Sequence, residues 1–256
     1  MLLEPKGPWW KEYLGPAAVI LAGVLAVLTV AGVLYGLSHP PATDATPLVG
    51  EVADPATGVP IPLPSPSPSM STTPIDDITF ERGTVPDTVN LSSEGKIDWV
   101  HWGEEGTYSL ERATGGGFAI LEGTPSSPRR RHTLSPEKFR WTGGTPAPKD
   151  TGTTSGIRTC GKGHGFTLSA PAGPEPQTLR LYVGAVAARG ELRMSLNTGG
   201  ETVTTTFEQK GTSMATARYT VSYRASATGK ISIEWITDKS YDEDCGGVAL
   251  QAATLF

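Results

Sequence analysis

The sequence has little of what metal sites, redox motifs and nucleic-acid interfaces need. Its 256 residues include two cysteines, Cys160 and Cys245, which lie too far apart for a CxxC motif. There are 21 Lys and Arg residues against 26 Asp and Glu, for a net charge of −5, so the chain lacks the basic excess of a nucleic-acid-binding protein. None of the four histidines forms a pair with zinc-ligand spacing. We therefore expect no nucleic-acid partner and no zinc.

Motifs of hydrolytic catalysis are also absent. No G-x-S-x-G sequence occurs, and GKGHG at 161–165 lacks the GxxxxGK[ST] register of a phosphate loop. Glu104 and Glu105 are adjacent, and neighbouring side chains on a strand point to opposite faces. They cannot flank one glycosidic bond as a catalytic pair. The sequence predicts that the protein is not an enzyme.

One long segment lacks charge altogether: residues 17–37, AAVILAGVLAVLTVAGVLYGL. Its length as a helix, roughly 30 Å, matches the hydrocarbon core of a bilayer. Trp9, Trp10 and Tyr13 precede it and Tyr35 lies near its end, where amphipathic rings occupy the membrane interfaces. The segment predicts a single transmembrane helix.

The basic residues near this helix predict its orientation. Lys6 and Lys11 precede it, whereas no Lys or Arg follows until Arg82. Because basic residues stay in the cytoplasm, we expect a cytoplasmic tail, 1–16, and an extracellular remainder on a cell membrane. A cleaved signal peptide is the alternative. The apolar run exceeds the roughly 7–15 residues of a secretory signal and no A-x-A site directly follows it, so a retained signal anchor is favoured.

Residues 38–74 have the composition of a linker. They contain ten prolines, many of them in PIPLPSPSPSM at 60–70, together with abundant Ser and Thr. Alternating proline favours extended polyproline II, and the segment has too few apolar residues for a core. We predict an extracellular stalk that carries a domain at 75–256.

Period-two alternation dominates the chain after the linker. Leu179, Leu181 and Val183 alternate with Arg180 and Tyr182, which predicts a strand with one buried and one solvated face. Similar segments separated by Gly and Pro turns indicate an all-β, antiparallel β-sandwich. Residues 104–160 show a weaker pattern and predict long loops between two or three strands. The other alternating segments are 192–196, 203–207, 219–223 and 231–235, and 246–256 reads as a closing strand.

The predicted extracellular location bears on the two cysteines. Disulfides persist outside the cell, so we interpret Cys160 and Cys245 as one structural disulfide. Two buried free thiols are the alternative.

Six segments together carry a resemblance to a known family: EGKIDWVHWG (94–103), FRWTGGTPAP (139–148), GKGHGFTLSAP (161–171), TLRLYVGAV (178–186), RYTVSYRA (218–225) and GGVALQAATL (246–255). The chain resembles bacterial extracellular β-sandwich modules of the galactose-binding, jelly-roll type, which occur in secreted and surface proteins beside polysaccharide-degrading enzymes. The resemblance spans about 90–256 and implies a jelly-roll fold similar to that of carbohydrate-binding modules. It assigns no binding residue.

Four aromatic residues are candidates for binding carbohydrate, because flat rings stack on the apolar face of a sugar. They are Trp99, Trp141, Tyr108 and Tyr241. Trp141 is placed in a Gly-rich loop and Tyr241 beside an acidic loop.

Burial in a core is the competing interpretation of the DWVHW tryptophans. On a strand, Trp102 shares a face with Val100, which favours a core position for it. Trp99 shares the opposite face with Ile97 and His101, which would form a second buried layer.

Acidic residues before the last strand raise the question of calcium. Asp242 and Asp244 follow Asp238, and jelly-roll modules commonly hold calcium where loops near the first and last strands meet, so Glu94 or Asp98 could join them. No DxDxDG spacing supports this structural calcium, and a solvated acidic turn is the favoured alternative. A basic run at 129–132, RRRH, reads as a solvated loop rather than as a site for an anionic wall polymer.

Together these patterns predict a membrane-anchored, non-catalytic surface protein that recognises carbohydrate. The alternative is a structural or sensory envelope protein whose sandwich binds another protein.

Overall fold

The computed structural model describes residues 75–124 and 128–256. The predicted tail 1–16, transmembrane helix 17–37 and linker 38–74 lie outside these ranges. Within them, no helix is long and apolar enough to cross a membrane.

Nine strands form the largest sheet, which we call the central sheet. Their order is β1-β15-β12-β17-β3-β4-β8, and β10 pairs with β17 while β6 pairs with β10. Every pairing in this sheet is antiparallel. The strands are β1 (Asp77–Gly83), β3 (Asp98–Trp102), β4 (Leu110–Ala113), β6 (Arg129–His132), β8 (Gly144–Thr145), β10 (Gly156–Thr159), β12 (Gln177–Val186), β15 (Ala215–Arg224) and β17 (Gly247–Leu255).

A second, outer sheet has five antiparallel strands in the order β14-β13-β16-β11-β5. They are β5 (Leu121–Glu122), β11 (Gly165–Ala172), β13 (Ala188–Leu196), β14 (Gly199–Gln209) and β16 (Gly229–Ser240).

A third, small sheet has the order β2-β7-β9. Here β2 pairs in parallel with β7, whereas β7 and β9 are antiparallel. One helical turn, α1 (Leu91–Glu94), follows β2, and the Asn90 side chain accepts a hydrogen bond from the Ser93 N–H at its start. The strands are β2 (Thr88–Asn90), β7 (Lys138–Thr142) and β9 (Lys149–Thr153).

The middle strands β3 and β17 of the central sheet are buried on both faces, so the domain has three layers. The main core fills the space between the central and outer sheets, with Val100, Trp102 and Trp235 among its members. A smaller core lies between the central and small sheets. β17 crosses the middle of the central sheet, and all nine of its residues are buried. The smaller core consists of Val89, Leu91, Trp99, Phe139, Trp141, Tyr182 and Ala252.

The prediction of an all-β, antiparallel sandwich is confirmed, and the alternation of β12 placed Leu179, Leu181 and Val183 correctly in the core. The interpretation of Tyr182 as solvated is wrong. Its ring meets Phe139 edge-on at 5.5 Å because the small sheet covers that face. Its hydroxyl donates to the Glu94 carboxylate.

The expectation of long loops at 104–160 is also wrong. Seven short strands, β4 to β10, lie in this segment. In β7, Phe139 and Trp141 are buried while Lys138, Arg140 and Thr142 are exposed, which is the alternation of a half-buried strand.

The predicted disulfide is confirmed. Cys160 directly follows β10 and Cys245 precedes β17, and their Cα atoms lie 4.6 Å apart. The bond therefore links the two chain segments that lead into and out of neighbouring strands of the central sheet.

Candidate binding site

Two exposed aromatic rings lie at opposite ends of β4. Tyr108 precedes the strand and is 73% exposed, and Phe118 follows it and is 68% exposed. Each ring is backed by an arginine: the guanidinium carbon of Arg129 is 5.3 Å from the Tyr108 centroid, and that of Arg112 is 4.4 Å from the Phe118 centroid. Because such cation–π contacts hold one face of each ring, the other face remains available to a ligand. We call this pair the aromatic strip.

The arginine under Tyr108 belongs to a buried network. Arg129 forms an ion pair with Glu122, and its side chain is only 2% exposed. Glu122 also accepts a 2.8 Å hydrogen bond from the indole N–H of Trp102. Because Trp102 is in the main core, these contacts connect Arg129, which supports Tyr108, to the core of the domain.

The loop that carries Tyr108 is itself held in place by arginines. Arg129 Nε donates to the Thr107 carbonyl at 2.9 Å, and Arg131 donates to the carbonyls of Gly103 and Glu104 at 2.7 and 2.6 Å. These bonds hold the backbone of the loop directly before Tyr108. The position of Tyr108 is therefore fixed before a ligand binds.

A buried carboxylate supports the other end of the strip. Asp98 accepts hydrogen bonds from the backbone N–H groups of Trp99 and Ile120, both at 2.9 Å, and lies 3.9 Å from Arg112. Arg112 in turn donates to the Ile120 carbonyl at 2.9 Å. Burial raises the pKa of Asp98, while the Ile120 N–H and the Arg112 charge act in the opposite direction.

The backbone near Phe118 is unusual. Phe118 has φ of 56°, in the left-handed region that non-glycine residues avoid. Gly116, two residues earlier, packs so closely on Asp98 that a Cβ there would overlap the carboxylate. The contacts of Asp98 with this loop therefore hold an exposed aromatic in a conformation that costs on the order of 1–2 kcal/mol.

The structure corrects two of the predicted ligand-binding residues. Trp99 and Trp141 are 2% and 1% exposed and pack against each other in the smaller core, with ring centroids 5.6 Å apart. Neither ring can stack on a sugar, because both are enclosed in the core between the central and small sheets. Trp99 does share a buried layer with His101, as the second interpretation expected, but Ile97 is 46% exposed.

Tyr241 lies apart from the aromatic strip, in the turn between β16 and β17. Its hydroxyl donates a 2.6 Å hydrogen bond to Glu208, and the Lys239 ammonium lies 5.1 Å from its ring centroid. The ring is partly buried, and it lacks the buried arginine support that Tyr108 and Phe118 share.

The four residues predicted to bind calcium do not come together. Glu94 pairs with Arg180 at 2.7 Å, Asp98 is buried against Arg112, and Asp242 accepts a hydrogen bond from the Asp244 N–H. Across 75–124 and 128–256, no three acidic, His or Cys residues are grouped as metal ligands. The prediction that these four residues share one calcium site is therefore wrong.

A buried polar group lies beneath the small sheet. His101 stacks on Trp141 with centroids 5.0 Å apart, and it sits opposite Glu111 in the β3–β4 pair. Burial lowers the pKa of His101 to about 3 and raises the pKa of Glu111. His132, at the end of β6, is also buried, and its pKa falls to about 4. These groups are enclosed in the fold rather than open to a substrate.

Two cavities on the described surface are lined by charged groups. One, of about 260 Å³, includes Asp76 and Glu201 in its lining. The other, of about 210 Å³, is bordered by Arg193, which forms ion pairs with Glu191 and Glu234. Neither lining contains an aromatic residue. The aromatic strip is therefore the better candidate for sugar recognition.

Sequence reasoning missed most of this site. Tyr108 was among the candidates, but Phe118 and the supporting Arg112, Glu122 and Arg129 were not. The signals available were the GGGF sequence at 115–118 and the RRR run at 129–131, which was interpreted as a solvated loop and is in fact strand β6.

The comparisons with known proteins give little. No family model matches the chain, and no curated protein matches it. A solved structure that is similar to it is TmCBM61, a carbohydrate-binding module, in complex with beta-1,4-galactotriose, at 12% identity over 54% of this chain and 86% of that chain, with a TM-score of 0.25. A likeness at that level supports no statement about the site of this chain.

Proposed function

We propose that the protein is a non-catalytic carbohydrate-binding protein and that the aromatic strip is its binding site. The observation that carries the proposal is the placement of Tyr108 and Phe118. Both are large aromatics more than two-thirds exposed, and each is backed by a buried arginine. Fixed aromatic faces lose little conformational entropy when they stack on a sugar ring.

The supports of the strip fit this role. The side chains of Arg112 and Arg129 are almost fully buried and are paired with Asp98 and Glu122. They therefore form a fixed support beneath the two aromatic rings. The strained φ of Phe118 adds to the argument, because exposing an aromatic in that conformation gives the fold no stability.

We further propose that this domain lies on the outer side of a membrane, held by the apolar segment 17–37 and carried by the linker 38–74. The charge-free run and the placement of Lys6 and Lys11 before it support that location. The disulfide between Cys160 and Cys245 agrees with an oxidising environment.

Changing the strip tests the binding function. We expect the Tyr108→Ala and Phe118→Gly variants of the full-length chain each to weaken glycan binding about tenfold, equivalent to about 1.4 kcal/mol, and the double variant to abolish it. Glycine suits the left-handed backbone at 118, so the fold should not suffer. The measurement is a glycan array followed by titration of the best ligand.

Phe80→Ala is the matched control for that experiment. Phe80 is a 36% exposed aromatic on β1, at the opposite edge of the central sheet from β4, and its loss should leave affinity within twofold. A blank array would reject the carbohydrate function. If an envelope extract then gave one stoichiometric protein partner, the protein-binding alternative would replace it.

Localisation has a separate test. We expect the chain in the membrane fraction, resisting high-salt extraction because an apolar helix, rather than surface charge, holds it. Protease added to intact cells should remove the C-terminal domain, and a cytoplasmic control protein should survive. A soluble, protected chain would contradict the proposed location.

A further inference from the structure

Strands β6 and β10 each carry one arginine whose charge nothing in the described residues neutralises. Arg130 of β6 lies directly opposite Arg158 of β10 in the antiparallel register. Directly opposed residues share a face, so the two guanidinium groups point to the same side of the sheet. Like charges opposed in this way destabilise a strand pair.

The other charged groups on these strands are already paired. Arg129 binds Glu122, and Arg131 donates to backbone carbonyls on the opposite face from Arg130. The side chains of Arg130 and Arg158 form no ion pair or hydrogen bond with any residue in 75–124 or 128–256. Arg130 is exposed and Arg158 is partly exposed, so both can reach a ligand.

Neighbouring groups leave the charge of this pair uncompensated. His132 shares the face of Arg130, is buried, and is held neutral, with its pKa lowered first by burial and then by the Arg158 charge. Glu137 is the first carboxylate after β6 in the chain, and it accepts hydrogen bonds from Thr216 and Ser135. The site thus remains positive on a protein whose net charge is −5.

The position of the pair relates it to the aromatic strip. Among the residues that the structure describes, β6 pairs with β10 alone, which makes it an edge strand of the central sheet. Arg129, which backs Tyr108, precedes Arg130 directly in the chain and points to the other face. The arginine pair and the support of Tyr108 thus lie beside each other at this edge but on opposite faces of the sheet, so a polymer that occupies both must cross the edge formed by β6.

We infer that the ligand is an acidic polysaccharide, whose anionic groups are bound by Arg130 and Arg158 while its sugar rings stack on the aromatic strip. This inference rests on the proposed function and adds the ligand class. Guanidinium groups bind carboxylate, sulfate and phosphate oxygens by charge-assisted hydrogen bonds, so the shared chemistry is a polysaccharide with regularly spaced anions.

The test compares polymers that differ only in charge. The probes are polygalacturonate against its methyl ester, for carboxylates, and dextran sulfate against dextran, for sulfate esters. The full-length chain is titrated in a polyoxyethylene detergent, which carries no sugar headgroup. We expect the acidic member of at least one pair to bind more than tenfold tighter at 50 mM salt, with the difference shrinking at 500 mM as the charges are screened.

The variant that tests the residues is Arg130→Gln/Arg158→Gln. We expect it to reduce the preference for the acidic polymer to less than twofold, without changing the affinity for the neutral one. Its melting temperature should not fall, because the substitution removes a repulsion. Arg224→Gln, an exposed arginine at the end of β15, is the matched control and should keep the preference.

Two outcomes would overturn the inference. Equal binding to both members of each pair, or an undiminished preference in the double variant, refutes the acidic ligand and leaves the carbohydrate function standing. If no polymer of either pair binds and the glycan array is also blank, the proposed function fails and the inference fails with it.

Discussion

Replacing Asp98 with alanine is expected to lower the free energy of unfolding by about 3–5 kcal/mol, the usual cost of removing one partner from a buried charged pair. The Asp98 carboxylate is fully buried and accepts hydrogen bonds from the N–H groups of Trp99 and Ile120. Without it, the two buried N–H donors lose their acceptor, and Arg112, itself 7% exposed, loses its nearby negative charge.

The same substitution should affect binding. Arg112 and Ile120 hold the loop that presents Phe118, and both lose their contact with Asp98. We therefore expect affinity to fall at least as far as in Phe118→Gly, even at temperatures where the variant remains folded. Denaturant titration of the full-length chain measures the first effect, and glycan titration measures the second.

Two further variants make the result specific. Asp98→Asn retains an acceptor oxygen but not the charge, and it should destabilise less than alanine does. Asp77→Ala removes an exposed carboxylate from β1 and should change stability by no more than about 0.5 kcal/mol. If Asp98→Ala matched Asp77→Ala, the buried network would not support the loop as described.

The sequence predicted the strands whose two faces differ most. β12, β13, β15 and β16 each place alternate residues in the main core, and period-two alternation identified them. Alternation could not show that the central sheet is covered on one face by the outer sheet and on the other by the small sheet. The small sheet is built from strands of three to five residues, too short for a strong pattern, although alternation in KFRWT at 138–142 was readable.

That third layer also explains the errors among the candidate ligand residues. Trp99 and Trp141 were selected for the size of their rings, and large rings are what a second core requires. The contact between Tyr108 and its supporting arginine could not be predicted from spacing. Tyr108 and Arg129 lie 21 positions apart, and only the pairing of β6 with β10 and the Glu122 contact bring them together.

Acid sensitivity should be the second large effect, and it arises from the buried histidines. The pKa of His101 is about 3 and that of His132 about 4, both below the ordinary value of 6.5. A lowered pKa means that the unfolded chain binds the proton first. The stability due to neutral burial is therefore fully present above pH 6.5, is lost progressively as the pH falls below 6.5, and stops falling once the pH has passed the folded-state values of about 4 and 3.

The size of this effect follows from the shifts. At pH 5, protonation stabilises the unfolded state by about 2 kcal/mol per histidine, while both histidines stay nearly neutral in the folded state. The two histidines together therefore lower the free energy of unfolding by about 4 kcal/mol at pH 5 relative to pH 7.5. Asp98 and Glu111 act in the opposite direction, because burial raises the pKa of each. The wild-type change alone therefore does not isolate the histidines.

Substitution isolates them. In His132→Asn the amide oxygen can replace Nδ1 as acceptor of the Leu134 N–H, and in His101→Asn the ionisable ring is removed from its stack on Trp141. Each substitution can also lower the free energy of unfolding at pH 7.5, and that loss does not enter the comparison. The difference in unfolding free energy between pH 7.5 and 5.0 should be about 2 kcal/mol smaller in each variant than in the wild type. Urea titrations followed by tryptophan fluorescence measure this difference. An unchanged pH dependence in both variants would show that these histidines do not remain neutral inside the fold, and the acid sensitivity would then have another origin.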